Sequence, residues 1–242
     1  LVPHPVATLD GRWVTEVDMP DGGQRYPCRL TRWVPGRILG RGERLVHFSR
    51  LGELMAGLHN HARTFHPPEG FRRRRWDAGA LRQRLALIED AAREGLLPAE
   101  QRDVFRMAAG QGETLMRDLD TRDDTFGLIH ADLGGDNRLY HAGRAGAIDF
   151  EMCGFGYYLC DLAEVLWGVQ HVRHFPQIRE ALLSGYRRIR NLPPDLKQRV
   201  GTAIAIAAVT TVGFLIQQRR DDLPQLASYC VEHLRKPVGC SV

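Results

Sequence analysis

A chain of 242 residues with 43% hydrophobic and 26% charged residues can bury a substantial core, as one large domain or as two lobes, and its composition excludes pervasive disorder. Lys and Arg number 33 against 29 Asp and Glu, and the resulting net charge of +4 is too small to argue for a nucleic-acid partner, although it tolerates an anionic cofactor such as ATP. The five cysteines, Cys28, Cys153, Cys160, Cys230 and Cys240, are odd in number and show neither CxxC spacing nor a zinc-like grouping, and no signal-peptide pattern precedes them; a reducing cytoplasm is the expected setting.

Residues 12–19 and 26–34 alternate with period two. Trp13, Val17 and Met19 fall on odd positions of the first stretch, and Tyr26, Cys28 and Leu30 on even positions of the second. Turn residues Pro20-Asp21-Gly22-Gly23 lie between them, so a β-hairpin is expected, ended by Trp33-Val34-Pro35-Gly36 because proline cannot donate to a ladder. The period then changes to that of a helix. Ser49 is a candidate N-cap for a stripe of Leu51, Leu54, Met55 and Leu58, and residues 80–93 and 98–119 continue in helical style. Short strands are expected at 126–130, 137–141 and 145–150, with a tight connection at His141-Ala142-Gly143-Arg144. Helices resume at 158–169, 175–190, 200–216 and 223–235. The uncharged segment 200–216 sits at the lower length limit of a membrane span, contains three Thr and two Gly, and reads better as a helix buried in a core.

The chemistry concentrates in residues 128–151. His130, Asp132 and Asn137 obey HxDxxxxN, and an apolar strand delivers Asp149 seventeen residues after Asp132. Phosphoryl transfer calls for such a set: a carboxylate to hold the acceptor hydroxyl and take its proton, and hard oxygen donors for the cation that neutralises a triphosphate. Asp132 fits the first task, and Asn137 and Asp149 fit the second as Mg²⁺ ligands. His130 suits pinning the loop backbone better than acid–base work. The competing view is that these polar residues merely decorate a loop between strands. Asp132 and Asp149 are expected to share one cleft.

The residues Trp33-Val34-Pro35-Gly36-Arg37, the helix LGELMAGLHNHAR, HADLGGDN, AIDFE and CGFGYYLCDLAEVLW together resemble the aminoglycoside phosphotransferase and choline kinase family, from about Trp13 to the C-terminus, with homoserine-kinase-like and hydroxylysine-kinase-like bacterial members the most similar. The resemblance implies an α+β, protein-kinase-like fold: residues 1–36 as the end of an N-terminal lobe and hinge, and residues 37–242 as a mostly helical catalytic lobe. It implies Asp132 as base, Asn137 and Asp149 on magnesium, backbone near Trp33 and Val34 on the adenine, and Asp161 bracing the catalytic loop. An N-terminal helix carboxylate stabilised by the macrodipole is an equally good reading of Asp161.

Two departures stand out. Relatives often read HxDLHPGN, whereas Leu133-Gly134-Gly135-Asp136 stands here, which predicts a looser loop with an added charge. No Gly-rich phosphate loop, strand lysine or partner glutamate precedes the hairpin, and the chain begins with Leu1, so it reads as a fragment whose N-terminal lobe is reduced to a hairpin.

Other features are assigned blander roles. Gly40-Arg41-Gly42 lacks the third glycine of a phosphate loop and reads as a linker turn. The groups His59, His61, His66 and His171, His174 lack the company of a zinc site. Arg72 to Arg75 reads as a solvated loop, though it could touch phosphates. Glu151 could face the acceptor and favour an amine, or be an ordinary loop carboxylate. Three functions remain in view: a magnesium- and ATP-dependent kinase of a small hydroxylated molecule, a catalytically silent kinase-like binding module, and a nucleic-acid binder built on the arginine run. The first is favoured, with a nucleotide and a small-molecule acceptor as partners and neither nucleic acid nor membrane. Homoserine, hydroxylysine, an aminoglycoside and choline remain open as acceptors, and the residues carry no signal for an oligomeric state.

Overall fold

The structure, a computed structural model, describes residues 1–18, 23–192 and 195–235. Met19, the turn residues Pro20, Asp21 and Gly22, and Cys240 lie outside them. The N-terminal hairpin is present as β2 (Thr15–Asp18) against β3 (Arg25–Cys28), with β1 (Pro5–Val6) pairing β4 (Leu30–Thr31). These strands are shorter than the alternating pattern suggests, and their apolar side chains do not reach a core. Trp13, Val17, Tyr26 and Leu30 are all exposed. Alternation specifies a strand, but a buried face also needs a second layer.

The chain enters the helical part through Gly36 and Arg37. Arg37 and Tyr140 exchange backbone hydrogen bonds of 3.1 and 3.0 Å, and Gly36, at φ 145°, lies so close to Leu139 that an added Cβ would stand 2.6 Å from Cδ1. Gly40–Gly42 forms a single 3-10 turn, in keeping with a linker. Helix α1 (Leu45–Thr64) starts four residues before the expected cap Ser49. Its first turn is closed by Arg44 and His47, the Arg44 amide donating to His47 Nδ1 at 2.9 Å, so Ser49 sits inside the helix. Phe48, Leu51, Met55 and Ala56 form its buried stripe.

β5 (Arg75–Trp76) ends the arginine run, whose residues 72–74 are exposed coil as a solvated loop should be. It pairs in parallel with β9 (Gly154–Tyr157), which also pairs antiparallel with β6 (Phe126–Ile129). Arg73 Nη2 donates to Phe150 O at 2.8 Å and Trp76 Nε1 to Met152 O at 3.1 Å, so the run straps residues 150–152 to the helical lobe. Helix α2 (Ala78–Arg93) follows, capped by Asp77, whose carboxylate accepts from the Gly79 and Ala80 amides. Helix α3 (Ala99–Leu119) precedes β6. β7 (Arg138–His141) and β8 (Arg144–Ala147) form the expected hairpin, with Ala142 and Gly143 both in the left-handed region that a two-residue hairpin turn requires. The third strand ends at Ala147, so Asp149 lies beyond it.

Helix α4 (Tyr158–Val169) matches its expected limits. Helix α5 (Phe175–Arg187) ends before residue 190 because Tyr186 O accepts from both Ile189 and Arg190 and closes the last turn. Glycines bring α5 against α1 at backbone distance. A Cβ on Gly52 would lie 2.0 Å from Leu182 O, and one on Gly185 would lie 1.9 Å from Ser49 O. Helix α6 (Leu196–Gln217) packs against α2, α3, α4 and the final helix α7 (Leu223–Arg235). By length and composition residues 199–217 could cross a membrane, yet 56% of that window is buried inside the fold. The whole is the expected α+β arrangement, with helices around a few short strands.

Candidate active site

The loop between β6 and β7 carries Asp132 and Asn137 and is tied down at several points. Asn137 Nδ2 donates to both Asp132 O and Asp132 Oδ2 at 2.9 Å, Asn137 N to Gly134 O at 3.1 Å, and Arg138 Nη1 to Leu133 O at 3.0 Å. Leu133 is fully buried. The flanks of the two glycines are anchored by these hydrogen bonds and by Leu133; Asp136, the added charge, lies exposed at the loop's rim.

Asp161, at the start of α4 and fully buried, holds the preceding backbone. It accepts from Ala131 N at 2.7 Å, His130 N at 3.2 Å and His59 Nε2 at 2.9 Å. Asp161 thus sits in the first turn of α4 and at the same time bonds the backbone of His130 and Ala131. Burial alone would raise its pKa, but the hydrogen bonds and charge of His59, the His130 charge and the Ala131 amide together hold it below the ordinary carboxylate value. His130 Nε2 donates to Ile148 O at 3.0 Å, which links the loop to the segment bearing Asp149. Ala131 and Asp149 both lie in the left-handed region, at φ 62° and 60°.

Asp132 is half-buried. Burial raises its carboxyl above the ordinary value; His130 opposes that rise, the Asp149 charge adds to it, and the Asn137 amide opposes it. The electrostatic coupling shows that Asp132 and Asp149 are neighbours. Asp132 lines a cavity of about 560 Å³ together with Glu151, Glu164, Trp76, Trp167 and Phe214. Asp149 lines an adjoining cavity of about 720 Å³ with Trp33, Val34, His130 and Phe150. Ile129, at the end of β6, belongs to both walls, so the two cavities adjoin. Val34 is buried, whereas Trp33 is 90% exposed.

Asn137 offers its amide oxygen and Asp149 a carboxylate from the two paired segments that flank the β7–β8 hairpin, Ile148 N donating to Asn137 O at 3.0 Å. Among the described residues no cluster of three His, Cys, Asp or Glu could hold a metal. A neutral oxygen and one carboxylate suit Mg²⁺, which takes its remaining ligands from water and phosphate.

Sequence reasoning missed three groups. His59, set aside with the other histidines, is fully buried between Asp161 and Tyr186, Nδ1 lying 2.8 Å from the tyrosine hydroxyl. Glu43 forms a buried ion pair with Arg138, 2.6 Å between Oε1 and Nε, and accepts from Tyr140 OH at 2.7 Å. Glu164 lines the Asp132 cavity from α4. Glu164 could have been found by its i,i+3 spacing from Asp161; the partners of His59 and Glu43 lie more than ninety residues away.

The sequence matches the family described as "Phosphotransferase enzyme family" over residues 3–197. It is 28% identical over 171 residues to the amicoumacin kinase of Bacillus subtilis (strain 168), a match covering 69% of this chain and 47% of that protein, so the chain spans about half the length of the curated relative. Among solved structures, a microcompartment-associated aminopropanol kinase superposes with TM-score 0.76 at 25% identity, covering 96% of this chain and 72% of the other. The amicoumacin kinase hAmiN, in complex with AMP-PNP, Ca²⁺ and Ami, superposes with TM-score 0.77 at 21% identity over 98% of this chain and 73% of that one, a likeness of fold.

Proposed function

Because the chain belongs to the phosphotransferase enzyme family, we propose that it carries the catalytic lobe of an ATP-dependent kinase acting on the hydroxyl of a small amine-bearing alcohol. The observation that carries the reading is the placement of Asp132: half-buried, bonded by Asn137, coupled to Asp149 and open to its own cavity. In this proposal residues 1–36 contribute the hinge and the end of an N-terminal lobe, and residues 37–242 the catalytic lobe. Trp33 and Val34 form the adenine side of the Asp149 cavity, and the acceptor occupies the Asp132 cavity.

Asp132 accepts the proton of the acceptor hydroxyl as that oxygen bonds to the γ-phosphorus and the bond from phosphorus to the β,γ-bridging oxygen breaks, releasing ADP. Asn137, while bonding Asp132, keeps its amide oxygen free to join Asp149 in holding Mg²⁺. Magnesium, when bound, supplies charge neutralisation on the phosphates. Asp161 and His130 act at one remove by fixing the loop backbone, and Glu151 stands at the cavity wall as a contact for the acceptor. A silent binding module has no chemical need for Asp132, Asn137 and Asp149 together. A nucleic-acid role for Arg72 to Arg75 is weakened by the engagement of Arg73 and Arg75 with Phe150 O and Asp77.

The names of the similar kinases suggest the panel for a test. ADP release should be measured with the full-length enzyme, Mg-ATP and 1-amino-2-propanol, choline, homoserine, hydroxylysine, kanamycin or amicoumacin. Acceptor-dependent turnover that disappears in Asp132→Asn supports the reading; a panel without turnover, or turnover insensitive to that change, refutes it.

A further inference from the structure

Helix α4 presents two carboxyl groups three residues apart. Asp161 faces the loop backbone and is fully satisfied; Glu164 faces the Asp132 cavity and is not. Although Glu164 as a residue keeps some exposure, its Oε2 is buried and has no hydrogen-bond partner among the described residues. A buried polar atom left without a partner costs about 1–3 kcal/mol, so a native fold that keeps one beside a cavity invites a ligand as its explanation.

The surroundings specify the ligand's charge. Trp76, Trp167 and Phe214 supply aromatic surface, while Asp77, Asp132, Glu151 and Glu164 supply carboxyls. The lone cationic residue lining this cavity, Arg84, is bonded to Gln217 at 2.6 Å. Burial foremost, then the charges of Asp161 and Asp132, push the Glu164 carboxyl up to about 8, against the opposing pull of Arg138 and the Leu133 amide. Arg138 is itself paired to Glu43, and the α6 wall presents only Ile206, Ala207, Thr210, Thr211 and Phe214. The distance to Asp132 is short: a Cβ on Gly134 would stand 3.7 Å from Glu164 Oε1 and 3.8 Å from Asp132 Oδ1.

We propose that Glu164 is the specificity-determining residue of the acceptor cavity, receiving the ammonium group of a short amino alcohol whose hydroxyl lies at Asp132. The placement of the hydroxyl rests on the kinase reading above; the ammonium site does not. Burial favours the neutral acid in free Glu164 near pH 7. Binding of an ammonium ion converts it to a carboxylate and releases its proton to the buffer, leaving a charge-assisted hydrogen bond to the Glu164 carboxylate. Affinity for the amine therefore rises with pH, by about tenfold per unit while Glu164 is protonated in the free protein and the amine remains charged, and levels off above pH 8.

The test is calorimetry of the whole chain with 1-amino-2-propanol, without nucleotide, at pH 7 in buffers of different ionisation enthalpy. About one proton released per ligand is expected. In Glu164→Gln the release should vanish and affinity fall by roughly tenfold or more, while weak binding of the neutral 1,2-propanediol stays unchanged. Because the wild-type proton count requires no variant, the proposal remains testable if Glu164→Gln fails to fold. Absence of amine binding, binding without proton release, or equal loss of diol and amine affinity overturns it. Proton-coupled amine binding without any phosphoryl transfer would sink the kinase reading and leave the ammonium site standing. Transfer to amino alcohols with no proton release would do the reverse.

Discussion

Replacing Asp161 by Asn keeps the size of the side chain and removes its charge and one acceptor oxygen. In the native protein Oδ2 accepts from His130 N and His59 Nε2, and Oδ1 from Ala131 N. The His59 ring can change tautomer and accept instead, since Tyr186 OH can turn to suit Nδ1. The two backbone donors have no such freedom, so one buried N–H faces the new NH₂ group whichever way the amide is turned. Removing one partner of a buried charged pair costs about 3–5 kcal/mol, much of it here the penalty of the backbone donor left unpaired. For a chain of this size that corresponds to a fall in Tm of about 6–20 °C. Urea unfolding followed by circular dichroism, with calorimetry for Tm, measures it. A loss under about 1 kcal/mol would refute the claim that this carboxylate holds the loop. The same cluster sets the acid limit. His59 is held below its ordinary value of 6.5, chiefly by burial, so stability falls as pH drops below 6.5 toward its folded pKa. Asp161 is held below 3.8, so its contribution is complete above that pH and is lost as pH falls through its lower folded value. The window below pH 6.5 should flatten in His59→Phe.

Asp132→Asn should keep the fold and nucleotide affinity while lowering kcat by about 10²-fold or more, read from steady-state ADP release. Asp149→Ala should abolish turnover and weaken Mg-nucleotide binding in calorimetry, with little change in metal-free nucleotide binding. Gly52→Ala should destabilise by at least about 1–3 kcal/mol in urea unfolding, because the new methyl meets Leu182 O in a rigid helix, and an unchanged midpoint would show that α1 and α5 do not approach as described.

The parts of the site that were legible are those whose meaning is local. HxDxxxxN, the β7–β8 hairpin and the α4 limits all follow from spacing and turn chemistry within a few residues. Ser49 misled because a serine before an apolar stripe is a common cap, whereas Arg44 and His47 close the first turn here through a pairing that carries no usual signature. The parallel pairing of β5 with β9 escaped because its partners are about eighty residues apart and each strand is short. His59 looked like one of a surface group until α5 and α4 closed over it. The exposed apolar side of the N-terminal hairpin shows the same limit: a pattern records which side chains share a face, and only the packed chain records what, if anything, covers it.

Helix α6 joins two tasks in one element. One side completes the core against α2, α3 and α4, and another supplies Ile206, Thr210 and Phe214 to the wall opposite Asp132. Every residue of the HxDxxxxN loop and Asp149 leaves the ribosome before it. During synthesis Asp132, Asn137 and Asp149 are therefore present as sequence well before the cavity beside Asp132 has its α6 wall, and the apolar faces of α2, α3 and α4 wait uncovered until residue 217 has emerged. A messenger that pauses or ends before α6 would yield a chain with Asp132, Asn137 and Asp149 and no α6 wall beside them, and one that chaperones would recognise by its bare helices.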